Sequence, residues 1–240
     1  MRTIGLLGGM SWESTATYYR RINEQVRDRL GGLHSAELLM RSVDFEDIVG
    51  LQKADAWAEA GAALSRLACD LERGGADCIL ICTNTMHKLA DTVQSAVSIP
   101  LIHIADTTGE AVKKTGARRP LLLATRYTME QDFYVAHLRD QHGVDVIVPE
   151  AEDRATVHRI IFDELCCGTV LAVSRQLYID IIGRGCAAGA DSVILGCTEI
   201  GLLLGPNDID LPVFDSTLLH ADAAVEFSLA QDGAPRRNAA

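Results

Sequence analysis

The chain has 240 residues, 48% of them apolar, with a formal net charge of −11; that is enough apolar material for a well-buried core and argues against disorder. An acidic balance of this size argues against nucleic acid, whose binders gather Lys and Arg on one face, and the pairs Arg118-Arg119 and Arg236-Arg237 are too small to reverse it. No apolar run approaches the ~20 residues of a membrane helix, and Met1-Arg2-Thr3-Ile4-Gly5 does not begin a secretory signal, so a cytoplasmic protein with no membrane partner is expected.

Strand and helix alternate along the chain, the pattern of a parallel sheet covered by helices. A short buried strand is predicted over residues 3–7, then the turn Gly8-Gly9-Met10-Ser11 and a helix over about 13–29. Strands follow at 38–43, 78–82 and 99–104, the last carrying Pro100, with a helix over about 54–74 between the first two. The order then restarts. Strand 120–124, helix 128–142, strand 145–148 and helices 155–165 and 171–188 lead to strands 192–195 and 211–214. A last helix over about 218–229 has no counterpart after it and is expected to pack back on the first half. Residues 230–240 read as a frayed tail.

The restart is a repeat. Gly75-Ala76-Asp77-Cys78-Ile79-Leu80-Ile81-Cys82-Thr83-Asn84-Thr85 lies without a gap on Gly189-Ala190-Asp191-Ser192-Val193-Ile194-Leu195-Gly196-Cys197-Thr198-Glu199. Leu6-Leu7-Gly8-Gly9 matches Leu122-Leu123-Ala124-Thr125, which sets Tyr18 opposite Tyr134, and Pro100-Leu101-Ile102-His103 matches Pro212-Val213-Phe214-Asp215. The expected fold is therefore α/β: two pseudo-symmetric, doubly wound parallel-sheet domains with the active site in the cleft between them. The halves are residues 1–104, with helix 217–229 returning to them, and residues 105–216.

Ligands of open parallel sheets bind beyond the carboxyl ends of the strands. Four polar clusters fall there: Gly8–Ser11, Thr83–Thr85, Thr125–Thr128 and Cys197–Glu199. Their hydroxyls, and amides at helix starts, suit a small polar anion. Seven cysteines without a C-x-x-C pair suggest neither zinc nor a disulfide scaffold. Only Cys197 sits where a thiol would face a site, and a helix start beside it would lower its pKa and favour the thiolate. Alternation along the strand turns Thr83 to the site and Cys82 into the helix layer. Neither G-x-G-x-x-G nor G-x-x-x-x-G-K-[ST] is present, and no lysine stands in a strand-end cluster where a pyridoxal aldimine would form. No cofactor is expected.

In Gly5-Leu6-Leu7-Gly8-Gly9-Met10, Thr83-Asn84-Thr85-Met86-His87 and Gly196-Cys197-Thr198-Glu199 the chain resembles the aspartate/glutamate racemase superfamily, over nearly its whole length. The nearest resemblance is to the L-aspartate/glutamate-specific branch, which carries Thr where most members have the first Cys. The resemblance implies a cofactor-independent isomerase with a two-base mechanism. Cys197 would take the α-proton of L-aspartate or L-glutamate, and Thr83 would return one from the opposite face, so the L-substrate is favoured. It also implies that Met10, Gln52, Thr83, Asn84, Thr85, Thr125, Thr198 and Glu199 hold the substrate, with Glu164 a further carry-over. A homodimer is expected. A single-cysteine decarboxylase, a maleate-type isomerase or a carboxylate-binding protein that is no enzyme are the alternatives.

Overall fold

The computed structural model describes residues 1–205 and 208–230. Its elements run β1 (Ile4–Gly8), α1 (Trp12–Leu30), β2 (Leu38–Ser42), α2 (Phe45–Lys53), α3 (Trp57–Arg73), β3 (Cys78–Ile81), α4 (Ala90–Gln94) and α5 (Ile104–Thr115). The second run is β4 (Pro120–Ala124), α6 (Arg126–Glu130), α7 (Asp132–His142), α8 (Ala151–Asp163), α9 (Ala172–Ala187), β5 (Ser192–Gly196), α10 (Ile200–Leu203), β6 (Val213–Asp215) and α11 (Ser216–Leu229). Single 3-10 turns occupy Thr85–Leu89 and Leu165–Cys167. The expected tail lies, beyond Ala230, outside the described residues.

Two parallel sheets form, in the orders β2-β1-β3 and β4-β5-β6. Each gains a fourth member through one parallel bridge, Ile79 to Leu101 beside β3 and Leu121 to Ile147 beside β4. Both sheets thus have one strand order when corresponding strands are matched. Predicted strands 99–104 and 145–148 shrink to these bridges because Pro100 and Pro149 lack the N–H that would extend the ladder, and because the chain turns into α5 at His103.

The Gly-Ala-Asp repeat does one mechanical job twice. Gly75 and Gly189 hold φ of 98° and 94°, where a Cβ is strained. The aspartate that follows ties its strand to the neighbouring one. Asp77 Oδ2 accepts from the Thr3 amide at 2.6 Å, and Asp191 accepts from the Arg118 and Arg119 amides at 2.8 and 3.1 Å. Tyr18 and Tyr134, matched in the repeat, are both fully buried.

On one face of the first sheet Leu7, Ile79 and Ile81 pack on Ala60, Leu64, Ala68 and Leu71 of α3. On the other, Ile4, Leu6, Cys78, Leu80 and Cys82 meet Tyr18, Ile22 and Val26 of α1 and Ala221, Ala224 and Val225 of α11. The last helix therefore closes the core of the first sheet. The second sheet has its own core, to which α5 contributes Ile104, Ala105 and Val112. Sequence reasoning missed α5, whose Asp106-Thr107-Thr108-Gly109 start has low helix propensity; His103 caps it, its Nδ1 accepting from the Ala105 amide at 3.2 Å. It also missed α2, capped by Asp44 through the Glu46 amide. The predicted helix over 128–142 is broken at Gln131, which is extended, into α6 and α7.

Burial holds His103 down to about 4 and His220 to about 3. The folded chain thus refuses protons that the unfolded chain accepts below ~6.5. Stability is expected to fall as pH drops through that value and to keep falling toward 4. Thermal melts stepped down in pH check this; a flat profile, or one whose slope His220→Gln leaves unchanged, contradicts it.

Candidate active site

All four strand-end clusters reach one recess, lined by Met10, Ser14, Phe45, Gln52, Thr83, Asn84, Thr85, Thr125, Ile161, Phe162, Cys166, Gly196, Cys197, Thr198 and Glu199. Both sheets supply it, and it encloses about 420 Å³ of atom-free space, part of it open to solvent. The sequence-predicted Met10, Gln52, Thr83, Asn84, Thr85, Thr125, Cys197, Thr198 and Glu199 all line it. Cys82 does not; it is fully buried against α1 and α11, and burial raises its thiol pKa far above the ordinary range.

On the first-sheet side, Thr83 follows β3. The His87 Nδ1–H donates to the Thr83 carbonyl at 2.8 Å, while His87 Nε2 accepts from the Ile104 amide at 3.1 Å. Asn84 donates to Ser216 Oγ at 3.0 Å, which ties this wall to α11. Among the described residues its Oδ1 is buried without a partner, as is Oε1 of Gln52, whose Nε2 reaches Met86 Sδ at 3.1 Å. Thr85 joins Thr125 at 2.8 Å and Thr128 at 3.3 Å, a triangle of hydroxyls across the two halves.

On the second-sheet side, Thr198 Oγ1 lies 2.6 Å from Ser14 Oγ and 2.9 Å from Thr217 Oγ1. Glu199 is a buried carboxylate. Its Oε1 accepts from Ser11 at 2.5 Å and from the Cys166 thiol at 3.7 Å, and its Oε2 accepts from the Cys197 thiol at 3.0 Å.

Two expectations are corrected. Burial first, then the Glu199 carboxylate and the Cys166 thiol, push Cys197 well above the ordinary thiol range, the reverse of the lowering expected from a helix start. The helix that follows, α10, spans only Ile200–Leu203, too short for a dipole to outweigh a carboxylate at 3.0 Å. Glu164 does not line the recess. Its Oε2 takes the Ser174 hydroxyl at 2.5 Å and its Oε1 takes Arg159 at 3.3 Å, so its carboxylate is engaged elsewhere.

Ser14, Phe45, Ile161, Phe162 and Cys166 were missed. Ser14 sits three residues past the α1 cap and could have been found from the helical period; Phe45 and Phe162 stack at 6.3 Å from helices whose pairing no sequence signal marks. None of the lining residues is Lys, Arg or His.

Two parallel sheets that turn their carboxyl ends to one cleft of hydroxyls and a carboxylate-bound thiol define a two-domain α/β fold of the amino-acid racemase type. Residues 7–224 match the Asp/Glu/hydantoin racemase family, and the chain belongs to it; it is an isomerase. A Yersinia pestis protein of known structure, described as a putative Asp/Glu racemase, is 48% identical, with 96% of this chain and 100% of that one covered and a TM-score of 0.90. An aspartate racemase homologue from Pyrococcus horikoshii OT3 is 34% identical over 95% and 99% of the two chains, with a TM-score of 0.82. The broad specificity amino-acid racemase RacX of Bacillus subtilis is 27% identical over 162 residues, 67% of this chain and 68% of its own.

Proposed function

We propose that this isomerase is a cofactor-independent racemase of aspartate and glutamate that works preferentially on the L-substrate. The observation that carries the reading is one recess, closed by both halves, that holds the Cys197 thiol against a carboxylate and is also lined by Thr83. As thiolate, with its own proton passed to Glu199, Cys197 takes the α-proton. The Cα–H bonding pair stays on carbon and spreads into the substrate carboxylate. Thr83 then gives its hydroxyl proton to the opposite face and regains one from water, part of the recess being open to solvent, while Glu199 releases the proton it took, so that Cys197 ends as the thiol and Glu199 as the carboxylate. The hydroxyls of Thr85, Thr125 and Thr198 suit the α-carboxylate, and the unpartnered oxygens of Asn84 and Gln52 suit the ammonium.

One observation favours a second reading of substrate. A dicarboxylate would bring its charge beside Glu199 with no cation in the lining, while Phe45, Ile161 and Phe162 offer an apolar wall. Amino acids with uncharged side chains fit that wall, in keeping with the name of the Bacillus subtilis relative. Chiral chromatography of a panel of L-amino acids after incubation tests both. Interconversion of none of them by a folded protein removes the racemase reading.

Glu199 separates the mechanism from simple thiol chemistry. Glu199→Gln removes a charge that raises the Cys197 pKa, so the pH midpoint for its alkylation by iodoacetamide should fall. Turnover should fall too, by ~10²-fold or more, because the proton of Cys197 loses its acceptor. An unchanged rate in Glu199→Gln contradicts this role.

The cytoplasmic setting and the homodimer remain part of the proposal. No helix among the described residues is long and apolar enough to cross a membrane. Exposed Trp12, Tyr19 and Met40 share one shallow depression, a surface suited to a second copy; sedimentation of the wild type, monomeric or dimeric, decides it.

A further inference from the structure

Asn84 is held by a relay that begins on the strand leading to Cys197. The Ser216 hydroxyl, at the head of α11, donates to the Leu195 carbonyl of β5 at 2.8 Å. Its one proton is thereby committed, and its oxygen accepts from Asn84 Nδ2 at 3.0 Å. Ser216 is fully buried and Asn84 is 3% exposed, so neither bond is shared with bulk water. A rotated Asn84 amide would set its oxygen against an oxygen whose proton is already given, and one bond would remain of the two. The amide is therefore fixed with Oδ1 as its free end, and among the described residues that oxygen has no partner.

We propose that Ser216 is a specificity-determining residue: by fixing the Asn84 amide it makes the recess select acids that carry a cationic nitrogen on the α-carbon and refuse those that carry a second carboxylate there. The inference rests on the reading of the recess as an amino-acid site. A buried carbonyl oxygen with no partner calls for a donor. An ammonium brings three N–H groups, and a carboxylate brings none. Gln52 repeats the demand, with its Nε2 on Met86 Sδ and its Oε1 unpartnered among the described residues. The charge agrees. Glu199 is in the lining and no Lys, Arg or His stands against it, so an anionic group beside Asn84 would meet acceptors and a carboxylate. Substrates of the decarboxylase and maleate-isomerase alternatives lack the nitrogen.

The relay belongs to one wall. The repeat sets Ile104 opposite Ser216 and Thr198 opposite Asn84. An isoleucine side chain cannot hold an amide, and Thr198 engages Ser14 and Thr217 instead. The substrate nitrogen is thus directed to the wall that carries Thr83. Because the relay starts at Leu195, its position is also set relative to the Cys197 thiol.

Protection of Cys197 from iodoacetamide, read by mass spectrometry on the full chain, tests this. The probes are L-aspartate with L-malate, L-leucine with L-leucic acid, and isobutylmalonate, which sets a carboxylate where leucine has its nitrogen. In the wild type at least one of the two amino acids should protect, and isobutylmalonate should not. In Ser216→Ala the protecting amino acid should bind about 5-fold more weakly or worse, the size of one hydrogen bond. Its hydroxy acid should change by less than ~2-fold, because a hydroxyl donates to the Asn84 oxygen or accepts from a rotated amide alike. General damage to the recess would weaken both. Where the hydroxy acid does not protect the wild type, the alkylation rate without ligand is the control and should stay unchanged. Should Ser216→Ala not fold, Ser216→Cys, close in volume and a weak partner, is expected to show the same selective loss. Protection by isobutylmalonate, protection by neither amino acid, an unchanged amino-acid affinity in the variant, or an equal loss for both members of a pair overturns the role of Ser216. Selective protection by an amino acid that the protein does not interconvert leaves that role standing and removes the racemase reading.

Discussion

Cys197→Ala should lower racemisation by ~10³-fold or more and leave the melting temperature close to that of the wild type. The size follows from the role. A positioned acid or base is worth ~10²–10⁴-fold, and no other group on that wall replaces this one: Ser14 and Thr198 are hydroxyls engaged with each other, and Cys166, whose thiol burial and Glu199 push above the ordinary range, leans on the other carboxylate oxygen. The fold should survive because Cys197 is only partly buried, at the edge of the second core. Iodoacetamide should modify Cys197 faster as pH rises, since its thiolate is disfavoured in the empty cleft, and substrate should slow the reaction. A Cys197→Ala protein that racemises at the wild-type rate removes the thiol from the mechanism.

Isotope exchange should be strongly one-sided. In deuterated water the α-proton of the L-substrate should be replaced at least ~100-fold faster than that of the D-substrate, a barrier difference of about 2.7 kcal/mol. Cys197 can remove and return a proton on its own face many times before the opposite face is reprotonated. Exchange from D-substrate must begin at Thr83, whose hydroxyl stays protonated at neutral pH and is a poor base. An equilibrium constant of one forces kcat/KM to be equal in the two directions. The asymmetry therefore appears in exchange and, at saturation, as a kcat difference matched by an equal KM difference. Thr83→Cys should speed exchange from the D-side and narrow the gap. Equal exchange of both enantiomers by the wild type would mean that Thr83 is not the second group, and with Cys82 sealed under α11 another residue would have to be sought.

What could be read from the sequence was whatever repeats or ends a strand. The matched Gly-Ala-Asp turns, the polar clusters after β1, β3, β4 and β5, and the inward Thr83 against the outward Cys82 all follow from a period of two and a duplicated pattern. Nothing local marks which helices face each other across a cleft, so the Phe45–Phe162 wall was invisible. The helices α2 and α5 escaped because side-chain caps at Asp44 and His103 start them where the helix propensity is low. The sign of the Cys197 shift failed for a related reason. A helix start can be inferred from spacing, but the conformation that brings Glu199 back onto a thiol two residues earlier cannot.

The two helices that follow the matched fourth strands give the repeat a further meaning. The bridge at Leu101 leads into α5, whose apolar face belongs to the second core; β6 leads into α11, whose apolar face belongs to the first. Each half has handed its closing helix to the other. In a dimer of two identical halves this would be called reciprocal domain swapping, and here the exchange is made permanent by one covalent chain. Neither half can then be excised with a complete core. The hydroxyl and amide groups of the cleft are kept in register by the same trade, since Asn84 of one half is held by Ser216 at the head of the helix that crosses over.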